Sequence, residues 1–504
     1  MSSSQTRFLG IDLGTGSLKL GMFDSDGVER GAASVAYALE TPQPGWAEMH
    51  VERWWDALVA ACAQLPESER AAVRAIGFSG QMHGVVLTDA AGHALRPAML
   101  WPDTRAHALL DAWPDEPARA QPNPVAPGMA GPLLRWVLQY EPYIAQAARW
   151  ALQPKDWLRV ALGGAFVADP SDACATALAA PDGAWDFALI ERLGLPSRWF
   201  APLAASCEAS GTLSAAAAHA LGLPAGIVLA TGAGDTPCAA LGSGLADEGG
   251  ALLTTGTGGQ IVVTARSEPR ARRGLHRYRS ATGGWYTMAA MQNVGVALEA
   301  ARGWLAYDWA LAYADAFAAP PSATLAFLPY LSGERSPWLD PAARGGWLGA
   351  SLGDTRGTLM RAAFEGVAFA LRAGLDAVRD AGEHGDEGTR NAQTARPVPA
   401  LKLAGGGSVD ARWRQLLADA LDADLYAIDC PNAAARGAAL LGGLASGHWR
   451  NSDLAALAPA ATRVASPRAD AALAQPLAQP LAQRYARFID LYGRVRTWFA
   501  PAAR

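Results

Sequence analysis

Two stretches lying about half the chain apart read alike, and they limit the folds open to this sequence. Phe8 to Gly27 (FLGIDLGTGSLKLGMFDSDG) alternates apolar and small residues around a Gly-Thr-Gly turn, and Ala251 to Ala265 (ALLTTGTGGQIVVTA) repeats the pattern. Such alternation through a short glycine turn predicts a β-hairpin. Gly14 and Gly256 stand 242 positions apart in a chain of 504, which points to a structural duplication. That length exceeds one hydrophobic core, so two domains are expected, 1–245 and 246–504, with a cleft between them.

Glycine turns that follow strands let consecutive backbone N–H groups approach phosphate oxygens, and threonine hydroxyls add donors. Three qualify: Gly14-Thr15-Gly16, Gly256-Thr257-Gly258 and Gly405-Gly406-Gly407. A Walker A loop needs lysine directly after glycine, but Lys19, Lys155 and Lys402, the only lysines, follow Leu18, Pro154 and Leu401. A dinucleotide fingerprint fails at Lys19, where the turn runs on into a strand and not a helix. What remains is a pair of hairpin turns, one from each half, gripping a polyphosphate. Taken singly, each also reads as an ordinary hairpin loop.

Two acids stand beside these turns. Asp12 lies at the mouth of the first, where a carboxylate near phosphates serves as a partner of Mg²⁺, often through water; an Asx-type turn bond is the plainer alternative. Asp235 ends the buried strand expected over Gly226 to Gly234 and opens a helix from about Thr236 that contains Pro237. Aspartate there reads as a helix cap, and equally as a general base that takes the proton of a hydroxyl attacking a γ-phosphate.

Elsewhere strands and helices alternate, as in an α/β protein. The pattern predicts a helix over Val51 to Leu65, a strand over Ala75 to Leu87 and a Pro-rich connection from Pro114 to Pro132 leading into a helix, Leu133 to Tyr140. It then predicts a long amphipathic helix from Thr358 to about Val378, a loop from Gly382 to Arg396, a strand over Leu401 to Leu403, a low-complexity run LAQPLAQPLAQR and a closing helix, Tyr485 to Phe499. A formal charge of −5 disfavours nucleic acid and anionic membrane partners. The longest uncharged stretch, Ser214 to Gly234, is broken by His219, Pro224 and glycines, so no membrane span is expected. Asp12 interrupts the first apolar run too early for a signal peptide, and the five scattered cysteines read as reduced core thiols; both fit the cytoplasm. Gly349 to Gly353 (GASLG) matches a serine-hydrolase elbow with His384 and His448 downstream, but Gly353, Asp354 and Thr355 between Ser351 and the next helix look like its cap.

The chain resembles the FGGY family of carbohydrate kinases, and within it the xylulokinases, over nearly its whole length. The segments IDLGTGSLK, GQMHG, LWPDTR, QPKDWLR, GAGDT, TGTGG, FLPYLSGERSP and GGGSVDARWRQLLADAL carry the likeness. The resemblance implies an α/β fold of two actin/hexokinase-like (ribonuclease H-like) domains with an interdomain active-site cleft, ATP with Mg²⁺, and a ketose substrate, D-xylulose first. It marks Asp235 as proton acceptor, Asp12 as the acid supporting the metal and phosphates, and Met82 and His83 as sugar contacts. Gly256, Thr257 and Gly405 to Gly407 match the nucleotide-binding turns, with Gly14 and Thr15 opposite. A neutral His83 reads sugar hydroxyls without supplying charge. Trp101, Asp103 and Arg105 are candidates to wall the same pocket, with surface roles as the alternative for Asp103 and Arg105. The sequence departs from the family at Pro102, Thr236 and Gly258, and at Ala434 to Ala438, where the family's Gly-Pro-Ala-Leu-Gly run is missing and no contact is carried over. The departures at Pro102 and Thr236 leave ribulose, gluconate or glycerol as alternative substrates. A non-catalytic sugar sensor is disfavoured by the presence of both acids, and a homodimer stays open.

Overall fold

The computed structural model describes residues 6–114, 123–246, 248–382, 400–468 and 480–499. Its first sheet contains β1 (Arg7–Leu13), β2 (Ser17–Phe23), β3 (Glu29–Ala36), β4 (Val73–Gly80), β5 (Ala209–Thr212), β6 (Val228–Ala230) and β7 (Ala233–Gly234). The order is β3-β2-β1-β4-β6-β5, with β7 also on β4. β1, β2 and β3 run antiparallel, β4 is parallel to β1, β6 to β4, and β5 returns antiparallel.

The second sheet contains β8 (Ala251–Thr255), β9 (Gly259–Ala265), β10 (His276–Arg279), β11 (Trp285–Met291), β12 (Leu401–Ala404), β13 (Leu425–Ile428) and β14 (Ala461–Ala465). Its order, β10-β11-β9-β8-β12-β13-β14, repeats the same antiparallel and parallel pairings with β10 added at one edge. The likeness of the two turns therefore extends to whole sheets, and the α/β class and two-domain architecture hold.

Side chains alternate across a strand, so each face of β1 has its own partner. Leu9, Ile11 and Leu13 pack with Trp54 and Leu58 of the helix Val51–Gln64. Phe8 and Gly10 face the helix Ala433–Ala445, which the sequence places in the second half. Gly21, Gly10 and Gly77 stand in register across β2, β1 and β4. A Cβ on Gly10 would lie 1.7 Å from the Ala435 carbonyl oxygen, and one on Gly77 1.7 Å from that of Ala438, so helix backbone rests directly on sheet backbone. The helix joins β13 to β14, so residues 433–445 cross the expected line between the halves. Arg436 is buried there and donates to the carbonyls of Gly242 (2.9 Å), Gly27 (3.2 Å) and Leu457. The Ala434 to Ala438 segment is thus a packing element.

Several boundaries differ from the sequence reading. The strand expected over Ala75 to Leu87 ends at Gly80, because the chain turns at His83 (φ +76°) before resuming as Val86–Thr88. The strand over Gly226 to Gly234 breaks at Gly232 (φ +85°), where a Cβ would stand 2.6 Å from the Phe78 carbonyl oxygen. The helix expected from Thr236 starts one residue earlier and spans Asp235–Gly242. The long helix spans Arg356–Gly382 and buries Phe364, Val367, Leu371 and Leu375 in the second core; the closing helix spans Leu481–Phe499. Most of the Gly382 to Arg396 loop and most of the low-complexity run lie outside the described residues. The hydrolase elbow is not built: the Ser351 amide and hydroxyl both donate to Asp354 Oδ2 (2.6 and 3.1 Å), and the His448 ring packs on Phe8 and Trp449. His384 lies outside the described residues. All five cysteines are free; Cys62, Cys174 and Cys238 are buried, while Cys207 and Cys430 are partly exposed. No described helix is long and apolar enough to cross a membrane.

Candidate active site

Asp12 sits on β1, two residues before the first turn, in register with Ser79 of the parallel β4. The Ser79 hydroxyl donates to Asp12 Oδ1 at 2.7 Å. Burial raises the Asp12 carboxyl above its ordinary range, opposed by that hydrogen bond and by Lys19. The turn is fixed by its neighbours. Tyr37 donates its hydroxyl to the Gly14 carbonyl (2.7 Å), as does the Gln81 side-chain amide (3.3 Å), and Thr15 donates to Gln81 Oε1 (3.2 Å). Trp101, half exposed, donates its indole N–H to Thr15 Oγ1 at 2.8 Å.

Asp235 is delivered by a different device. β7 pairs with Ser79 and Gly80 of β4, and the chain passes straight into the helix Asp235–Gly242. Gly234 is the N-cap and Asp235 the first helical residue. Its Oδ1 accepts from the Thr236 amide (2.6 Å) and hydroxyl (3.2 Å), and not from the amides two or three residues on that a capping side chain serves. Asp235 as a residue is partly exposed, while its carboxyl lies in a densely packed surround. Burial, and after it the Asp12 charge, pushes its pKa up to about 6, against the pull of Thr236. A carboxylate tuned to this range suits proton abstraction near neutral pH.

Met82 and His83 reach this region from the turn after β4. A Cβ on Gly234 would touch Met82 Sδ at 2.9 Å, so Met82 packs directly beside the approach to Asp235. His83 Nδ1 lies 2.6 Å from the Ala175 carbonyl oxygen. A carbonyl only accepts, so Nδ1 carries the proton; burial lowers the ring's pKa, and the neutral tautomer leaves Nε2 as an acceptor. The second half contributes Tyr278, its ring 6.4 Å from His83, stacked on His276 at 6.0 Å. Burial, then His83 and Arg335, pull His276 down to about 4.

Asp103 and Arg105 do not lie on a free surface. Asp103 is fully buried, accepts from the Ala47 amide (2.7 Å) and pairs with Arg105, whose guanidinium stacks on Trp46 at 3.6 Å and pairs with Glu48. Every strong bond of Asp103 is thereby taken up inside the first domain.

The two glycine turns of the second half lie side by side. Gly407 donates its amide to the Thr255 carbonyl (3.2 Å), and Thr255 Oγ1 meets Ser408 Oγ at 2.6 Å. Gly405 (φ +92°) would place a Cβ 2.2 Å from the Thr255 oxygen, whereas a Cβ on Gly256 or Gly406 would meet nothing within 4 Å. That open backbone cradle fits a polyphosphate. No three His, Cys, Asp or Glu side chains gather into a metal cage among the described residues. The sequence does not single out Ser79, Tyr37, Gln81 and Ser408, although Gln81 and Ser408 lie inside the GQMHG and GGGSVDARWRQLLADAL segments.

Two α/β domains with paired sheets of one pattern are the actin/hexokinase-like architecture of carbohydrate kinases, and the comparisons with known proteins give the same class. The N-terminal domain model of the FGGY family of carbohydrate kinases matches residues 7–242 and the C-terminal domain model residues 251–446, and the chain belongs to this family. The xylulose kinase of Escherichia coli (strain K12) is 32% identical over 427 residues, 82% of this chain and 84% of the relative. A crystal structure of xylulose kinase from Rhodospirillum rubrum superposes with TM-score 0.85 at 28% identity, covering 98% of this chain and 99% of that one. A gluconate kinase from Lactobacillus acidophilus superposes with TM-score 0.86 at 22% identity, covering 99% of each. The fold is thus shared across substrates. Family membership implies ATP as the phosphoryl donor.

Proposed function

We propose that this protein transfers the γ-phosphoryl group of ATP to the terminal hydroxyl of a ketose, D-xylulose first, with Asp235 as the general base. The observation that carries the reading is the Asp235 carboxyl itself, raised to about 6, poised at a helix N-terminus beside Asp12 and bordered by Met82. Bound ATP with Mg²⁺ supplies the electrophilic phosphorus and neutralises charge on the phosphates. Asp12 would support the metal, and the Gly256-Thr257-Gly258 and Gly405-Gly406-Gly407 turns hold the nucleotide. His83 accepts from a sugar hydroxyl through Nε2, and Asp235 takes the proton of the attacking hydroxyl. Curated relatives named xylulose kinase at 32% and 31% identity support the substrate, whereas the fold does not discriminate. Thr236 stands where the family commonly has asparagine and gives both donors to Asp235, which makes the sugar pocket the place to test.

The deciding measurement is steady-state turnover with ATP and Mg²⁺ on D-xylulose, D-ribulose, L-ribulose, gluconate and glycerol. D-xylulose is expected to show the highest kcat/KM. A preference for gluconate or glycerol overturns the substrate and leaves the kinase intact, and no turnover with any sugar overturns the enzyme reading.

A further inference from the structure

His83 and Asp235 come from different elements, yet both are tied to one short buried segment, Asp169 to Ala175. At its far end the Ala175 carbonyl accepts from His83 Nδ1 at 2.6 Å. Nearer its start, Ser171 Oγ accepts from the Gly234 amide at 3.1 Å, one residue before Asp235. Ser171 in turn donates its hydroxyl (2.5 Å) and its amide (2.9 Å) to Asp169 Oδ1, which also accepts from the Ser206 hydroxyl at 3.2 Å. Ser206 holds the Gly232 amide through its own carbonyl at 3.0 Å. Lys155, fully buried, reaches Asp169 Oδ2 and Asp156 Oδ1 at 2.7 Å each and Asp172 Oδ2 at 3.3 Å. Arg159, on the same helix, bonds Asp156 Oδ1 (2.7 Å) and the Thr231 carbonyl (2.8 Å).

A network like this is costly to keep. Apolar side chains of similar volume commonly match or exceed the stability of a buried ion cluster. Two cations face three carboxylates here, all of them with solvent-free side chains. Burial pushes the Asp172 carboxyl well above its ordinary range, against the pull of Lys155. Arg159 also bonds the carbonyls of Ala165 (3.3 Å) and Val167 (2.5 Å); the cluster's other connections end on Thr231, Gly232 and Gly234, the loop that presents Asp235, and on the segment that orients His83.

We infer that Lys155, Asp169 and Ser171 are positioning residues for phosphoryl transfer, setting the base through Gly234 and the sugar-reading imidazole through Ala175 from one shared anchor. The inference rests on Asp235 acting as the base. It predicts separable effects. Ser171→Ala cuts only the arm to Gly234, so kcat falls roughly tenfold or more, the scale on which small misplacements cost rate, while the sugar and ATP KM stay within about threefold. Asp169→Asn loosens both arms, so kcat falls and the sugar KM rises together. Ser171→Thr keeps the hydroxyl and restores kcat.

The experiment is a double-mutant cycle on the full chain with kcat, both KM values and melting temperature recorded, crossing Ser171→Ala with Asp235→Asn. Non-additivity supports the link, since Ser171 has nothing to position once the base is gone. A folded Ser171→Ala protein with wild-type kcat, or one that loses rate equally in the Asp235→Asn background, overturns it. An active Asp235→Asn single variant instead overturns the underlying base assignment. Should Lys155→Met fail to fold, the Ser171 pair still decides.

Discussion

The two hairpin turns share a strand pairing and are held in opposite ways. Gly14-Thr15-Gly16 is clamped by side chains from elsewhere in the first domain, Tyr37, Gln81 and Trp101. Gly256-Thr257-Gly258 is held by main chain: the amides of Gly295 and Val296 donate to the carbonyls of Gly256 and Thr257 at 3.0 Å. Asp12 on β1 has Thr254 as its positional counterpart on β8. Duplication therefore yields two related turns, a four-residue loop between Leu13 and Leu18 and a three-residue loop between Thr255 and Gly259, of which the first is held by side chains beside an acid and the second keeps open backbone. The difference teaches that one sheet design can surround related turns with different supports, which is what a division between chemistry and nucleotide grip, as proposed above, requires.

The largest effect expected is on the acidic half. Asp235→Asn should lower kcat by roughly a hundred- to ten-thousandfold with ATP affinity retained, the range for a lost general base. Because the folded carboxyl is raised, the folded state binds the proton more tightly than the unfolded chain, and stability falls as pH rises from about 4 to about 6. Removing the charge should therefore raise the melting temperature at neutral pH and leave it little changed near pH 4. In the wild type, kcat/KM should rise with pH through an apparent pKa near 6. Near-wild-type turnover of Asp235→Asn, or a flat pH profile from 5 to 8, would remove chemistry from this half.

Next in size is the metal response. Asp12→Asn should weaken half-saturation by Mg²⁺ about ten- to a hundredfold, the usual scale for groups supporting a metal. The matching change on the other side, Thr254→Val, should stay within about twofold. Equal responses in a Mg²⁺ titration would mean that the halves are not specialised as described.

Smaller effects separate the glycines of the open half. Gly405→Ala meets the Thr255 oxygen at a left-handed φ and should lower the melting temperature, whereas Gly406→Ala has space and should raise the ATP KM a few fold with stability intact. The reverse ranking would show that the cradle is packing and not a ligand surface. Smallest is the change of shape: ATP with sugar should draw the halves together and reduce the radius of gyration in small-angle scattering, as water exclusion requires. An unchanged radius with both ligands bound would count against closure.

The chemistry was more legible in the sequence than its supports. Asp12 and Asp235 stand out as candidates because glycines flank an acid at a strand end, a pattern that also suits a turn bond or a helix cap. Ser79 was invisible because its partnership with Asp12 depends on a parallel register between positions far apart in the chain. Asp103 and Arg105 read either as pocket walls or as surface residues; burial removes the surface alternative, and Trp46 and Trp136, which stack on the guanidinium, lie outside the Trp-Pro-Asp-Thr-Arg run. The alanine-rich Ala433–Ala445 helix gave no sign of its partner, since glycine stripes on distant strands carry no hydrophobic signal.

That helix bears on how the protein is made. The glycine row on β2, β1 and β4 has no side chains of its own to cover, and its cover is encoded almost two hundred residues downstream of the first domain. At about 5–20 residues per second of synthesis, the first sheet waits roughly ten to forty seconds with that backbone face bare. A chain cut near position 245 keeps both acids and loses the lid that completes their sheet, so the duplicated halves cannot be expected to live apart as their sequences suggest.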